Sequence, residues 1–584
     1  MTMTEQYPEI GKDVAAMPTA PHLADWASLR ESWDWEDIKN ELDLPGGLYN
    51  LAHECIDRHA DGDRANKIAM VWESAGGDIE NYTFTDMKRE SNKFANVLKT
   101  VGVEKADRVF FFAPRIPELY FAVFGTLKAG AIIAPLFSAF GPEPVKERID
   151  RAAGSTIITT PTLLPKINEI RDQLPSLKHV IVIAHREGGD VADGDLEYAA
   201  LMAGASEDFE IERTGPEDWS VMHFTSGTTG MPKGAAHVHN AVIGYYATGK
   251  YVIDIHDDDI YWCTADPGWV TGTSYGMFAP WSNGATSVIY EGGFNATRSY
   301  EVIQKHKVTV WYTAPTFIRL LMKAGTPLAQ KHDLSSLRYV MSVGEPLNPE
   351  GVIWGQDAFG LPIHDNWWQT ETGSIMIANY PSMPIRPGSM GRPFPGIHAA
   401  IIDDAGNEIT EPDQEGALVV KPPWPSMMRT YWNDQKRYDS RFQQGWYLTG
   451  DRAKRDADGY FWFLGRDDDI INTAGHLVSP FEVESALIEH EAVAEAGVIG
   501  KPDDIAMEVV KAFVTLHEGF EPTSELRRNI TGHMRRRLGP AVAPREIDFI
   551  DILPKTRSGK IMRRLLKARE LGLDEGDVSG LEDD

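Results

Sequence analysis

The sequence predicts an α/β protein of at least two domains, and three observations carry that prediction. Its 584 residues exceed the length that one hydrophobic core usually organises. Short apolar runs of strand length alternate with longer amphipathic stretches, the pattern of helices layered on sheets. Beyond about Gly465 the segments shorten and charge becomes denser, which puts a domain boundary near that glycine.

In chain order, residues 84–101 read as an amphipathic helix, followed by buried strands over 108–113 and 131–136. A helix over 144–153 leads to strands at 156–160 and 179–184. Residues 219–224 read as a strand that feeds a glycine-rich loop, and 308–312 and 339–343 add two further strands. In the C-terminal part, helices are expected over 480–490 and 524–538. No run of 18 apolar residues occurs and the first thirty residues hold no apolar segment, so neither a membrane span nor a signal peptide is expected.

The chain is 42% hydrophobic and 24% charged, the balance of an ordinary globular protein rather than a disordered one. Lys and Arg number 57 against 86 Asp and Glu, a net charge of -29. That sign argues against nucleic-acid and anionic-membrane partners, which reward basic surface, so any anion must be bound by a local cluster of cations. Cys55 and Cys263 are too few for a disulfide framework or a thiolate metal site, which suits a reducing, cytoplasmic setting.

The strongest local signal is the loop Thr225, Ser226, Gly227, Thr228, Thr229, Gly230, Met231, Pro232, Lys233, Gly234. Its glycines let a backbone approach closely, its hydroxyls donate to phosphate oxygens and Lys233 adds a point charge, so a nucleoside triphosphate is the expected ligand. It is not a Walker loop, in which the Gly-Lys pair precedes Ser or Thr. His237 and His239 follow without a third metal ligand and read as strand or core residues.

This loop resembles the signature loop of the adenylate-forming (ANL) superfamily, and four more motifs resemble that family's in order and spacing. They are Tyr312-Thr313-Ala314-Pro315-Thr316, Gln369-Thr370-Glu371-Thr372-Gly373, Tyr447-Leu448-Thr449-Gly450-Asp451, and the run from Pro554 through Lys555 to Lys560. The resemblance extends from roughly Tyr49 to Ala568. Within the superfamily the chain is most similar to AMP-forming acetyl-CoA synthetases, through the stretch from Ala265 to Gly272 and the Trp367-Trp368 pair.

The resemblance implies a large N-terminal domain of layered sheets and helices over 1–467 and a small α+β domain over 468–584 that rotates about a hinge at Asp468. It implies two-step ligation of a short acid to coenzyme A through an acyl-adenylate, with ATP and Mg2+. Lys560 would contact the acid and α-phosphate during adenylation, Thr225 would act at the reacting phosphate, and Glu371 would hold the metal. The rest of the implied nucleotide site is Ser226, Gly227, Thr228, Thr229, Gly230 and Lys233 in the loop and Gly344, Glu345, Pro346 and Asp365 against adenine. Trp367, Gln369 and Thr370 complete it, with Asp451 and Arg466 on the ribose.

Acetate-specific relatives line their acid pocket at positions matching Trp269, Val270, Thr271, Val343 and Trp368, the last as its floor, and Gly475 matches a residue on the CoA tunnel. The chain departs from the pattern at Leu477, where many acetyl-CoA synthetases carry arginine, which leaves the contacts to the adenylate phosphate or CoA open. Loss of charge by acetylation at Lys560, set by a lysine acetyltransferase and reversed by a deacetylase, is expected to silence the enzyme. Propionate, glycolate or another small acid, and a non-catalytic nucleotide-binding relative, are the alternatives to acetate activation.

Overall fold

The structure is a computed structural model that describes residues 7–189, 191–225, 232–467, 469–473, 476–503, 507–539, 542–556, 560–575, 578 and 581. Two large sheets dominate the N-terminal domain. One has six strands, with Tyr339–Ser342, Val310–Thr313, Ile260–Cys263, Thr286–Tyr290 and Ile68–Glu73 running parallel and Ile79–Thr83 closing the edge as a hairpin. The other has eight, with Arg108–Phe112 and Ile132–Pro135 near its middle and Trp219–Thr225 and Lys233–Val238 toward one end.

Helices cover these sheets because their apolar residues recur at helical spacing. In Phe84–Thr100, Phe84, Met87, Ser91, Phe94, Ala95 and Leu98 form the buried face. Thr83 and Asp86 close its N-terminus as a reciprocal capping box. The neighbouring helix Pro117–Lys128 is buried along its whole length. Its Gly125 permits close packing, since a Cβ there would lie 2.7 Å from the Ser91 carbonyl.

The expected strands and helices form within a residue or two at most ends, and Ser524–Leu538 forms as expected. The strands on either side run into the glycine-rich motif. Thr225 and Lys233 pair across an antiparallel hairpin and Gly234 follows in the same strand, so ladder hydrogen bonds claim both ends of the motif. His237 and His239 are buried, and His239 Nδ1 accepts from the Leu51 N–H at 3.2 Å.

A five-stranded sheet that includes Trp446–Arg455 and Phe461–Arg466 ends the N-terminal domain. The next strand, Ile471–Thr473, belongs to a different sheet with its own apolar core, built on Val493–Asp503 and Met507–Leu516 and packed by the helices Pro480–Ile488 and Ser524–Leu538. This small α+β unit touches the large domain through Phe463 and Phe481, whose rings meet edge-on at 6.1 Å, and through a 2.7 Å hydrogen bond from Asn348 to Ser485. Among the described residues no helix is long and apolar enough to cross a membrane.

Candidate active site

A cavity of about 320 Å³ lies where the two domains meet. Each predicted site residue within the described part of the chain lines it. Ser226, Gly227, Thr228, Thr229, Gly230, Asp468 and Gly475 lie outside the described residues.

At one end, the strands Trp446–Arg455 and Phe461–Arg466 pair Asp451 with Arg466, and their side chains approach to 3.3 Å. Asp451 Oδ2 also accepts from Trp367 Nε1 at 3.0 Å and Gln369 Nε2 at 2.8 Å. Burial raises the Asp451 pKa, opposed by Arg466 and then Lys560. With Oδ2 already accepting from Trp367 and Gln369, Oδ1 beside Arg466 is the oxygen turned toward a ribose hydroxyl. Lys560 arrives from the C-terminal domain. It is exposed to the solvent of the cleft although protein surrounds it, and its pKa is lowered by desolvation first and by Arg466 second.

At the hairpin end, Lys233 stands 5.6 Å above the Tyr431 ring, and Tyr431 donates to Glu371 Oε1 at 2.8 Å. Desolvation, then Arg437, lowers the Lys233 pKa. Thr225 Oγ1 is buried with no hydrogen-bond partner among the described residues. One buried carboxylate beside Lys233 and the Thr225 hydroxyl suits a Mg2+ that keeps most of its water and rides on a triphosphate. A second group of metal-ligand character, His22, Asp254 and His256, is less suited. Its two rings stack in parallel 3.9 Å apart and Arg338 occupies Asp254, so a shared ion would sit outside both ring planes.

Gly344 takes φ +98° at the turn after strand Tyr339–Ser342, and a Cβ on it would lie 2.4 Å from the Trp269 ring. Glycine there satisfies both the left-handed backbone and the close approach of the indole. Glu345 and Pro346 continue this wall, and Thr370 lines the cavity beside it. Asp365 ties the wall to the adjacent strand by accepting from the Leu347 N–H at 3.1 Å and the Asn366 N–H at 3.0 Å.

Burial, with Glu345 adding to it, pushes the Asp365 pKa up to about 7 from 3.8. The folded state therefore holds this proton more tightly, and stability contributed at low pH is lost between about pH 4 and 7. Asp365→Asn removes that titration. The melting temperature of the variant relative to the parent is expected to rise between pH 5 and pH 8, and a pH-independent difference would contradict the buried-acid assignment.

Trp269, Val270, Thr271, Val343 and Trp368 form the remaining wall. Val270, Thr271 and Val343 are buried, and Trp368 packs edge-on against Tyr275 with ring centroids 5.0 Å apart. Tyr275 is itself fixed, accepting from the Ile375 N–H at 2.7 Å with Thr248 Oγ1 at 2.8 Å. The indole is thus braced from behind.

Three arginines on this cavity were not foreseen in the sequence: Arg319, Arg441 and Arg563. Arg319 follows Thr316 by three residues at the start of helix Pro315–Ala324, a spacing that would have placed both on one face. Arg441 precedes the Tyr447 motif without a spacing signal, and its Nε is buried without a partner among the described residues. Arg319 and Arg563 are paired with Glu345 and Glu484, so Lys233, Arg441 and Lys560, with Arg466 beside Asp451, are the cations that the cavity offers a polyanion.

Comparison with known proteins matches residues 56–432 to the AMP-binding enzyme family and residues 482–560 to the AMP-binding enzyme C-terminal domain. The chain belongs to the AMP-binding enzyme family. This AMP-binding enzyme is 52% identical over 577 residues to the acetyl-coenzyme A synthetase of Bacillus subtilis, covering 98% of this chain and 100% of that one. The acetyl-coenzyme A synthetase of Methanothrix thermoacetophila is 42% identical over 92% of this chain and 85% of its own. Among solved structures, an anthranilate CoA ligase in complex with anthranoyl-AMP superposes with a TM-score of 0.83 at 31% identity, over 93% of this chain and 99% of that one. The acyl-CoA synthetase of Brucella canis superposes at 0.74 with 35% identity, over 94% and 99%. The large and small domains are thus those of the family.

Proposed function

We propose that this protein is an AMP-forming acetate–CoA ligase: ATP, acetate and coenzyme A give acetyl-CoA, AMP and pyrophosphate. The observation that carries this reading is convergence. Lys560 from the small domain, the Asp451–Arg466 pair and the Trp368 pocket line one cavity, although they come from distant parts of the chain.

In the first step an acetate oxygen attacks the α-phosphorus and pyrophosphate leaves with the electron pair of the broken P–O bond. Charge grows on the phosphoryl oxygens, and Lys233, Lys560 and the Thr225 hydroxyl are the groups at hand to stabilise it. Asp451 and Arg466 hold the ribose, while Gly344, Glu345, Pro346 and Asp365 flank the adenine and Gln369 and Thr370 its approach. Glu371 would supply the protein ligand of Mg2+, whose chemistry is to neutralise the triphosphate. In the second step the CoA thiolate attacks the acetyl carbonyl and AMP leaves.

We assign residues 1–467 to the adenylation domain and 468–584 to the mobile one, pivoting at Asp468, with Gly475 on the thiol path. The arrangement described here, with Lys560 in the cavity, fits adenylation. The thioester step requires the small domain to turn away. Acetylation of Lys560 by a lysine acetyltransferase, with removal by a deacetylase, would switch off adenylation by deleting the charge. We place the reaction in the cytoplasm, where Cys55 and Cys263, both free, stay reduced.

Pyrophosphate release across formate, acetate, propionate, butyrate, glycolate and benzoate, with and without CoA, tests acid and acceptor together. Acetate is expected to lead. ADP in place of AMP among the products would overturn the mechanism, and preference for another small acid would overturn the substrate.

A further inference from the structure

Glu345, on the wall assigned to adenine, has both carboxylate oxygens held from one helix. Thr316 Oγ1 donates to Oε1 at 2.7 Å, and Arg319 Nη2 donates to Oε2 at 2.7 Å and shares a 2.9 Å contact with Thr316 Oγ1. Arg319 also faces the other domain. Its Nε lies 3.7 Å from Oε1 of Glu495, on the strand Val493–Asp503 of the small domain. Glu495 is fixed in turn by Lys555 Nζ, 2.6 and 2.7 Å from its two oxygens.

The four side chains Glu345, Arg319, Glu495 and Lys555 therefore alternate in sign across the gap between domains. Their setting is sheltered, with the Arg319 side chain 15% exposed and Glu345 9%, so the charges feel one another more than a surface pair would. Desolvation lowers the Arg319 pKa, but Glu345 and Glu495 outweigh it and the net shift is upward.

A contact that exists in only one of two domain arrangements shifts the balance toward that arrangement. Glu495 and Lys555 travel with the small domain, whereas Arg319 and Glu345 stay with the large one. We propose that Arg319 is a positioning residue that couples docking of the small domain to the nucleotide wall, through Glu495 on one side and Glu345 on the other. The proposal rests on the two-step ligase reading above. It predicts that Glu495 favours adenylation and is idle once the small domain has turned for the thioester step.

The test is a double-mutant cycle of Glu495→Gln and Arg319→Gln, read in two half-reactions. Acetate-dependent ATP–pyrophosphate exchange of Glu495→Gln is expected to fall about 5- to 20-fold, within the range of a coupling free energy between sites. Acetyl-CoA formation from supplied acetyl-AMP is expected to stay within about twofold, which also shows that the variant folds. In the Arg319→Gln background, Glu495→Gln should cost nothing more. Equal losses in both half-reactions, no loss of exchange, or losses that multiply in the double variant would each overturn the coupling. Absence of acetate-dependent exchange in the unaltered protein would instead overturn the ligase reading itself.

Discussion

Lys560→Ala is expected to lower acetate-dependent pyrophosphate exchange by about 10²- to 10³-fold, the usual loss when one preorganised charge is taken from a developing anion. Acetyl-CoA formation from supplied acetyl-AMP and CoA should be nearly unchanged. The reason lies in where the residue sits. Lys560 enters the cavity from the small domain beside Asp451 and Arg466, the pair assigned to the ribose. Desolvation and Arg466 lower its pKa, and in the proposed mechanism the ammonium group acts where α-phosphate charge builds. On the proposed reading, the side chain is remote from the carbonyl under attack once the small domain has turned. Equal loss in the two half-reactions, each followed by its own product, would contradict the alternation of domains.

Trp368→Gly is expected to move acid selectivity by an amount of similar size. The indole lines the cavity with Val270, Thr271 and Val343, where the proposed reading makes it the pocket floor, and Tyr275 packs against it edge-on. A steric wall rejects a longer chain more strongly than a favourable pocket rewards one, because overpacking adds strain to lost contact. Each extra methylene accommodated in the opened pocket is worth about 1–3 kcal/mol. Relative to acetate, kcat/KM should therefore rise about 10- to 200-fold per methylene admitted, and butyrate, two methylenes longer, should gain at least that much. Acetate itself should bind less well in the larger space. The variant also loses the ring contact to Tyr275, worth about 0.5–1.5 kcal/mol, so a modest fall in melting temperature should accompany the change. Pyrophosphate release measured on acetate, propionate, butyrate and valerate decides it. Butyrate remaining as poor a substrate as before would end the closed-pocket argument and leave the ligase reading standing.

The two predictions draw on different parts of what the chain encodes. On the proposed reading, Lys560 has a role only if the small domain is docked, whereas Trp368 belongs to the large domain and would act in both arrangements. Loss at one should therefore leave the other's signature intact. A Lys560→Ala protein given supplied acyl-adenylates should still discriminate against long acids.

Much of the fold was legible because period and punctuation are local. The helix Phe84–Thr100 is written in its apolar spacing and in the Thr83 and Asp86 cap, and Ser524–Leu538 in its Thr523 cap and the Gly539 that follows. The limits of the glycine-rich motif were less legible. Thr225 and Lys233 belong to strands because they pair with each other, and pairing partners are not marked in a single sequence. Asp451, Glu371 and Lys560 were legible only through resemblance to the family's motifs, since alone each reads as a surface or capping residue. Arg441 and Glu495 were not legible, since nothing next to them in sequence distinguishes them from surface charges.

The sequence by itself determined which chemical groups are available: a hydroxyl- and glycine-rich loop set by residue type and short spacing, and, through resemblance to the family, carboxylates at Glu371 and Asp451, Lys560 and the Trp367–Trp368 pair. Only the tertiary structure decided which of them meet. It brought Lys560 into the cavity with Asp451, gave Gly344 its left-handed turn against Trp269, and set Arg319 between Glu345 and Glu495. The physical reason is range. Backbone propensity and capping act over a few residues, whereas burial and charge pairing across two domains depend on where distant segments come to rest.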